Sequence, residues 1–152
     1  MASIFAAAPD AAARQTVGVH HGWAAFRDDA PRRCYAIAAP EIRTRGAFAS
    51  VGSWPGRRVS GQVHIRFHRV ARTGSAVVLT IDDRLFQLVA RDGNAWARSP
   101  AADRAIVAAM RTGVAMTVRA RDENGGAMAF QYALNGAATA IDAAALACRP
   151  GA

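Results

Sequence analysis

Two cysteines are the first candidates for chemistry in this chain. Cys34 lies in an apolar, strand-like run, Cys34-Tyr35-Ala36-Ile37-Ala38, and Cys148 lies on the apolar stripe of the last helical segment. They stand 114 positions apart without CxxC spacing, which excludes a thioredoxin-like redox motif and a cysteine-rich zinc site. The favoured reading is one structural disulfide, Cys34 to Cys148, that closes most of the chain into a ring. Two separate buried thiols, or one reactive thiol, are the alternatives. The histidines offer less. On a strand, His64 and His68 would share a face about 13 Å apart at ~3.3 Å per residue, too far to hold one metal. His20 and His21 are too close together for easy joint ligation, so all four read as solvated surface side chains. Ser53 in Gly52-Ser53-Trp54-Pro55-Gly56 lacks the spacing of a nucleophile elbow. The acid pairs Asp28-Asp29 and Asp82-Asp83 fall in turns, where aspartate is commonplace. No glycine-rich phosphate loop of either standard pattern occurs. The chain therefore reads as non-enzymatic, with no cofactor and no metal.

The basic residues carry the remaining chemistry. The net charge is +8, and all 19 basic residues are arginine. Residues 1–76 hold 11 arginines against 4 acids, whereas residues 77–152 hold 8 against 7. Arg43, Arg45, Arg57 and Arg58 occupy loops that flank a strand showing His64, Arg66 and His68 on its wet face, with Trp54 among them. Guanidinium groups fork onto carboxylate or phosphate and stack on rings. The candidate anion-binding set is thus Arg43, Arg45, Arg57, Arg58, Arg66 and His68. Its partner would be an anionic envelope or host component: phosphate, a lipid head group or an acidic polysaccharide. An arginine-rich face that meets only solvent is the competing explanation.

Positioning these groups requires strands. Period two is strongest at Val63, Ile65 and Phe67, which point one way while His64, Arg66 and His68 point the other. Shorter strands are expected at Trp23 to Phe26, Tyr35 to Ala39 and Ala47 to Val51, with a turn at Ser53 to Arg58. Ala76 to Ile81 and Leu85 to Ala90 flank Asp82-Asp83 as a hairpin. Val114 to Arg121 and Met128 to Leu134 form another around Asn124-Gly125-Gly126. Ser99-Pro100 opens a helix that Gly113 ends, with Ala102, Ile106, Ala109 and Met110 as its buried stripe. Asn135 is expected to cap a second helix with the stripe Ala138, Ile141, Ala145 and Cys148. The order predicts a mainly β domain, an antiparallel sandwich or barrel-like sheet with two helices packed on it. No run approaches the ~20 apolar residues of a membrane-spanning helix. Residues 1–19 read as a flexible arm or the remnant of a signal peptide, since Ala6-Ala7-Ala8 fits a small-residue cleavage site. Residues 20–150 read as one domain.

Three blocks in order carry a family likeness: Trp23 to Phe26 with Cys34-Tyr35-Ala36 and Pro40; Gly93-Asn94-Ala95-Trp96-Ala97 leading to Ala108-Ala109-Met110-Arg111-Thr112-Gly113 and Met116-Thr117-Val118; and Tyr132 to Ile141 running on to Cys148. From Trp23 to Cys148 the chain resembles the invasion-associated locus B family, small exported proteins of Gram-negative alphaproteobacteria. The resemblance implies a periplasmic or secreted β-rich domain without a defined catalytic site, acting as a binding or envelope-accessory protein. An arginine-rich nucleic-acid-binding domain using the Arg43–Arg72 surface, or a small hydrolase with an unrecognised site, are the alternative functions.

Overall fold

The computed structural model of the protein describes residues 14–151. Ten strands and two helices follow in order: β1 (Gln15–His20), β2 (Trp23–Asp29), β3 (Arg32–Ala38), β4 (Phe48–Trp54), β5 (Val59–Arg66), β6 (Val77–Ile81), β7 (Arg84–Arg91), β8 (Asn94–Trp96), α1 (Pro100–Thr112), β9 (Ala115–Arg121), β10 (Ala127–Ala133) and α2 (Ala137–Ala147). All strands pair antiparallel in one open sheet, in the order β1-β2-β3-β4-β5-β8-β7-β6-β9-β10. The sheet folds over on itself at β7. Residues Val89–Arg91 of that strand pair with β8, while Arg84–Leu88 pair with β6. The expected mainly β, sandwich-like architecture with two helices is the one observed.

Alternation decides what lies inside. Trp23, Ala25, Cys34, Ala36, Ala49, Val51, Val63 and Ile65 are buried on one side of β2–β5, facing Leu79, Ile81, Met116, Val118, Phe130 and Tyr132 from the other half of the sheet. Both helices pack against β1–β5, α2 across β1–β4 and α1 along β5. The inward residues of β2 and β3 are mostly alanine, and α2 meets them with Ala137, Ala140 and Ala144. Small side chains on both surfaces let the backbones approach closely. That proximity allows Cys34 to reach Cys148, bonded with α-carbons 5.8 Å apart, within the range disulfides require.

The ends of α1 follow the sequence closely. Ser99 Oγ accepts the Ala102 N–H at 3.1 Å, Pro100 takes the first turn, and the Gly113 N–H returns to the Ala109 carbonyl. The buried stripe is Asp103, Ile106, Ala109 and Met110, so Asp103 stands where Ala102 was expected. Its carboxylate accepts the Val63 N–H at 2.9 Å and so satisfies a buried donor of β5. Burial raises the Asp103 pKa, and the Val63 N–H partly offsets the rise.

Three expectations are corrected. Residues 1–13 of the expected arm lie outside the described residues, but Gln15–His20 form an edge strand instead. A bulge between Thr16 and Gly18 breaks the period that would have announced it, while the open edge of β2 supplies the ladder partners. The α2 cap is Gly136, not Asn135. Gly136 has φ +87°, and a Cβ there would collide with the His20 carbonyl. The α2 stripe is Ala137, Ala140, Ile141 and Ala144, continued by Cys148, whereas Ala145 is exposed.

The packing fixes two expected outcomes. Ile106, 1% exposed, should cost about 2–5 kcal/mol when changed to alanine, read as a shift in denaturant midpoint. Cys148→Ser should remove on the order of 4–5 kcal/mol, the chain-entropy value for a ring of this length, in the same melts. A loss below about 1 kcal/mol for either variant would contradict the packing described.

Candidate functional site

Opposite the disulfide, the outer face of β2–β5 and β8 carries the residues that alternate with the core. Arg33, Tyr35 and Ile37 come from β3, Phe48, Ser50, Gly52 and Trp54 from β4, Gln62, His64 and Arg66 from β5, and Asn94 and Trp96 from β8. Register places Tyr35 beside Gly52, Ser50 beside His64, and His64 beside Trp96. Together with Arg14 they line a groove of about 460 Å³, within the range of small-ligand sites. From Tyr35 to Trp96 it crosses three strand intervals, about 14 Å at ~4.8 Å per strand. A second trough, walled by Ala30 and Pro31, continues it past Arg14, Arg33 and Trp54.

One end of the groove is cationic and aromatic together. The Arg33 guanidinium lies 4.4 Å from the centre of the Tyr35 ring and 5.8 Å from that of Trp54. Arg14 lies 5.6 Å from both Phe26 and Tyr35. Such contacts hold guanidinium groups in place while leaving most of their N–H donors free. A single carboxylate, Asp28, serves both arginines, at 2.7 Å from Arg33 and 3.4 Å from Arg14. Two cations on one anion leave this end with surplus positive charge. Gly52 makes room for the Trp54 ring, because a Cβ there would stand 3.1 Å from the indole. Tyr35 is only 6% exposed, and its buried hydroxyl has no hydrogen-bond partner among the described residues.

The other end is built around His64. Its ring stacks on Trp96 at 5.3 Å and meets the Phe48 ring edge-on at 5.4 Å. Nε2 lies 2.8 Å from Asn94 Oδ1, which also accepts from Arg66 at 3.2 Å. An amide oxygen as partner fixes the neutral ring with its proton on Nε2. Burial lowers the His64 pKa, and repulsion from Arg66 and Arg33 lowers it further, against the Asn94 hydrogen bond.

The structure separates the anion-binding set expected from sequence. Arg57 and Arg58 follow Trp54 at one end of the β4–β5 hairpin, whereas Arg66 faces Phe48 at the other. Six strand residues, about 20 Å, lie between these ends. Arg43 and Arg45 sit in the segment before β4, which is tied towards β10 by the Glu41 N–H to the Gln131 carbonyl. His68 lies beyond β5 and meets the Phe130 ring edge-on at 5.4 Å, away from His64. The set is therefore not one patch, and the groove lies between its two ends. His64 is half-buried in that groove and is no solvated surface histidine. Arg14 and Arg33, absent from the expected set, supply the cations there. The Arg33-x-Tyr35 spacing was the available signal, obscured because the strand was expected to begin at Tyr35. Among the described residues, no group of three or more His, Cys, Asp or Glu side chains could hold a metal, and no helix is long and apolar enough to cross a membrane.

Residues 55–145, more than half of the chain, match the family described as Invasion associated locus B (IalB) protein. The chain belongs to the IalB family. The match spans His64, Arg66, Asn94 and Trp96, while Arg14, Arg33, Tyr35 and Trp54 precede it. No curated protein and no solved structure matches the chain. The IalB likeness therefore gives family and fold, and the groove gives the chemistry.

A pH dependence follows from His64. Its folded pKa lies below the ordinary 6.5, so between these values the unfolded chain takes up a proton that the folded chain refuses. The contribution of His64 to stability is complete above pH 6.5 and is lost as pH falls through 6.5 towards the folded value. Thermal melts from about pH 7.5 to 5 should show wild type losing more stability than His64→Gln. Parallel curves for the two proteins would contradict the buried, neutral ring.

Proposed function

We propose that this IalB-family chain works outside the cytoplasm, in the periplasm or secreted, as a non-enzymatic binding or envelope-accessory protein whose anionic partner occupies the groove. The observation that carries binding is the pair of guanidiniums laid on Tyr35, Phe26 and Trp54, sharing one carboxylate beside an unpartnered Tyr35 hydroxyl. Rings and guanidiniums arranged this way recognise and hold a partner, and the groove walls supply apolar contact. Support for export comes from the Cys34–Cys148 disulfide, since such bonds persist in oxidising compartments. The partner is an anionic envelope or host component rather than nucleic acid, because the arginines at residues 43–72 do not form the continuous basic track a nucleic-acid backbone needs.

Two measurements test this reading. Thiol alkylation in intact cells, followed by fractionation and mass measurement, should find the protein outside the cytoplasm with neither cysteine modified. A cytoplasmic protein with two modified thiols would overturn export. Heparin, as a general polyanion, should bind wild type at low ionic strength and weaken at 0.15 M salt, where screening shortens to about 8 Å. Arg33→Gln combined with Trp54→Ala should lose about tenfold in affinity, or ~1.4 kcal/mol, and Arg57→Gln with Arg58→Gln less. No retention of wild type at low salt would overturn the groove as a binding site.

A further inference from the structure

We infer that the groove takes an acidic carbohydrate, a pyranose chain or single sugar bearing a carboxylate, with the carboxylate at Arg14 and Arg33. The inference rests on the proposed binding role and names its ligand class. Three features of the groove point the same way. First, its walls alternate between rings and polar groups: Trp54, Tyr35 and Trp96 stand among Ser50, Gln62 and the Tyr35 hydroxyl. A pyranose has the matching alternation, with C–H faces that lie on rings and hydroxyls that pair with amide and hydroxyl groups. A buried hydroxyl without a partner is costly, and a sugar hydroxyl would satisfy it. Second, the positive charge is confined to one end, where Arg14 and Arg33 share Asp28. A ligand there has one anionic group and an otherwise neutral, hydroxylated body. Third, the groove and the trough beyond Trp54 share Arg14 and Arg33, so the open path is longer than one sugar ring.

Other ligand classes fit less well. A planar aromatic anion needs a free ring face, but Arg33 lies over Tyr35 at 4.4 Å and His64 is stacked on Trp96 at 5.3 Å. An acyl chain would strip water from Ser50, Gln62 and the Tyr35 hydroxyl without replacing its hydrogen bonds. Free phosphate would use the guanidiniums and leave the rings idle.

Titration of the full chain with galacturonic acid and with its trimer, followed by calorimetry and tryptophan fluorescence, tests the inference. Maltotriose and adenosine monophosphate serve as the neutral sugar and the planar anion. The uronate probes should bind at least tenfold more tightly than either control. Tyr35→Phe, which keeps the ring, should weaken uronate binding about three- to tenfold, the worth of one hydrogen bond. Arg33→Lys keeps the charge but loses the fork, and should weaken it as well. Melting curves of both variants confirm that they fold. A trimer tighter than the monomer identifies a polymer as the source, and equal affinities identify a free sugar acid. Equal binding of maltotriose, tighter binding of adenosine monophosphate, or Tyr35→Phe without effect would each overturn the acidic-sugar inference. Heparin binding that persists in that case leaves the general binding role standing, whereas loss of both removes the groove altogether.

Discussion

The bond from Cys34 to Cys148 fixes the face of β3, and much of the molecule follows from that. Side chains on a strand alternate, so a cysteine held against α2 on the inner side sends Arg33 and Tyr35 to the outer side. A slip of one residue would exchange the two faces and bury the guanidinium. The alanines around the bond serve the same end. Ala36 and Ala38 on β3, and Ala140 and Ala144 on α2, leave little bulk between helix and sheet, so the sulfurs can meet. Asp103 does comparable work one strand further on, tying α1 to β5 through the Val63 N–H. The inner face is thus covered and cross-linked, and the outer face of the same strands is free to bind.

That outer face combines two kinds of attraction that oppose each other elsewhere. Charge prefers water and rings prefer to leave it, yet a guanidinium is weakly hydrated and planar enough to lie on a ring. Arg33 over Tyr35 and Arg14 over Phe26 show the compromise, with Asp28 holding both arginines from the side. His64 marks the opposite end, where burial and two nearby arginines keep the imidazole neutral. The groove therefore runs from a cationic end to a neutral aromatic end. This polarity gives a ligand a direction, and membership of the IalB family alone would not have revealed it.

Several features were legible in the residues. The α1 boundaries were readable because Ser99, Pro100 and Gly113 act locally, within one turn of the backbone they cap. The β5 alternation was readable because Val63, Ile65 and Phe67 are large enough to declare a buried side. The edge strand β1 was not, since the bulge at Thr16 to Gly18 interrupts its period. The α2 cap was misplaced by one residue because Gly136 is selected by the nearby His20 carbonyl, a contact no local rule contains. The arginines were grouped by closeness in sequence, yet a hairpin sends its turn and its open end apart, and Arg57 parted from Arg66.

The sequence by itself determined the fold class, the two helices, the choice of cysteines and the abundance of arginine. Each depends on residue type and short-range period, which survive without knowledge of neighbours. Tertiary structure alone decided which cations meet which rings. Arg14, Tyr35, Trp54, His64 and Trp96 come from five separate segments, and only the order β1-β2-β3-β4-β5-β8 places them on one face. Strand order is set by the burial of the opposite face, through α2, the disulfide and the second half of the sheet. The binding groove is therefore a consequence of long-range packing, which acts on residues that do not themselves enter the groove.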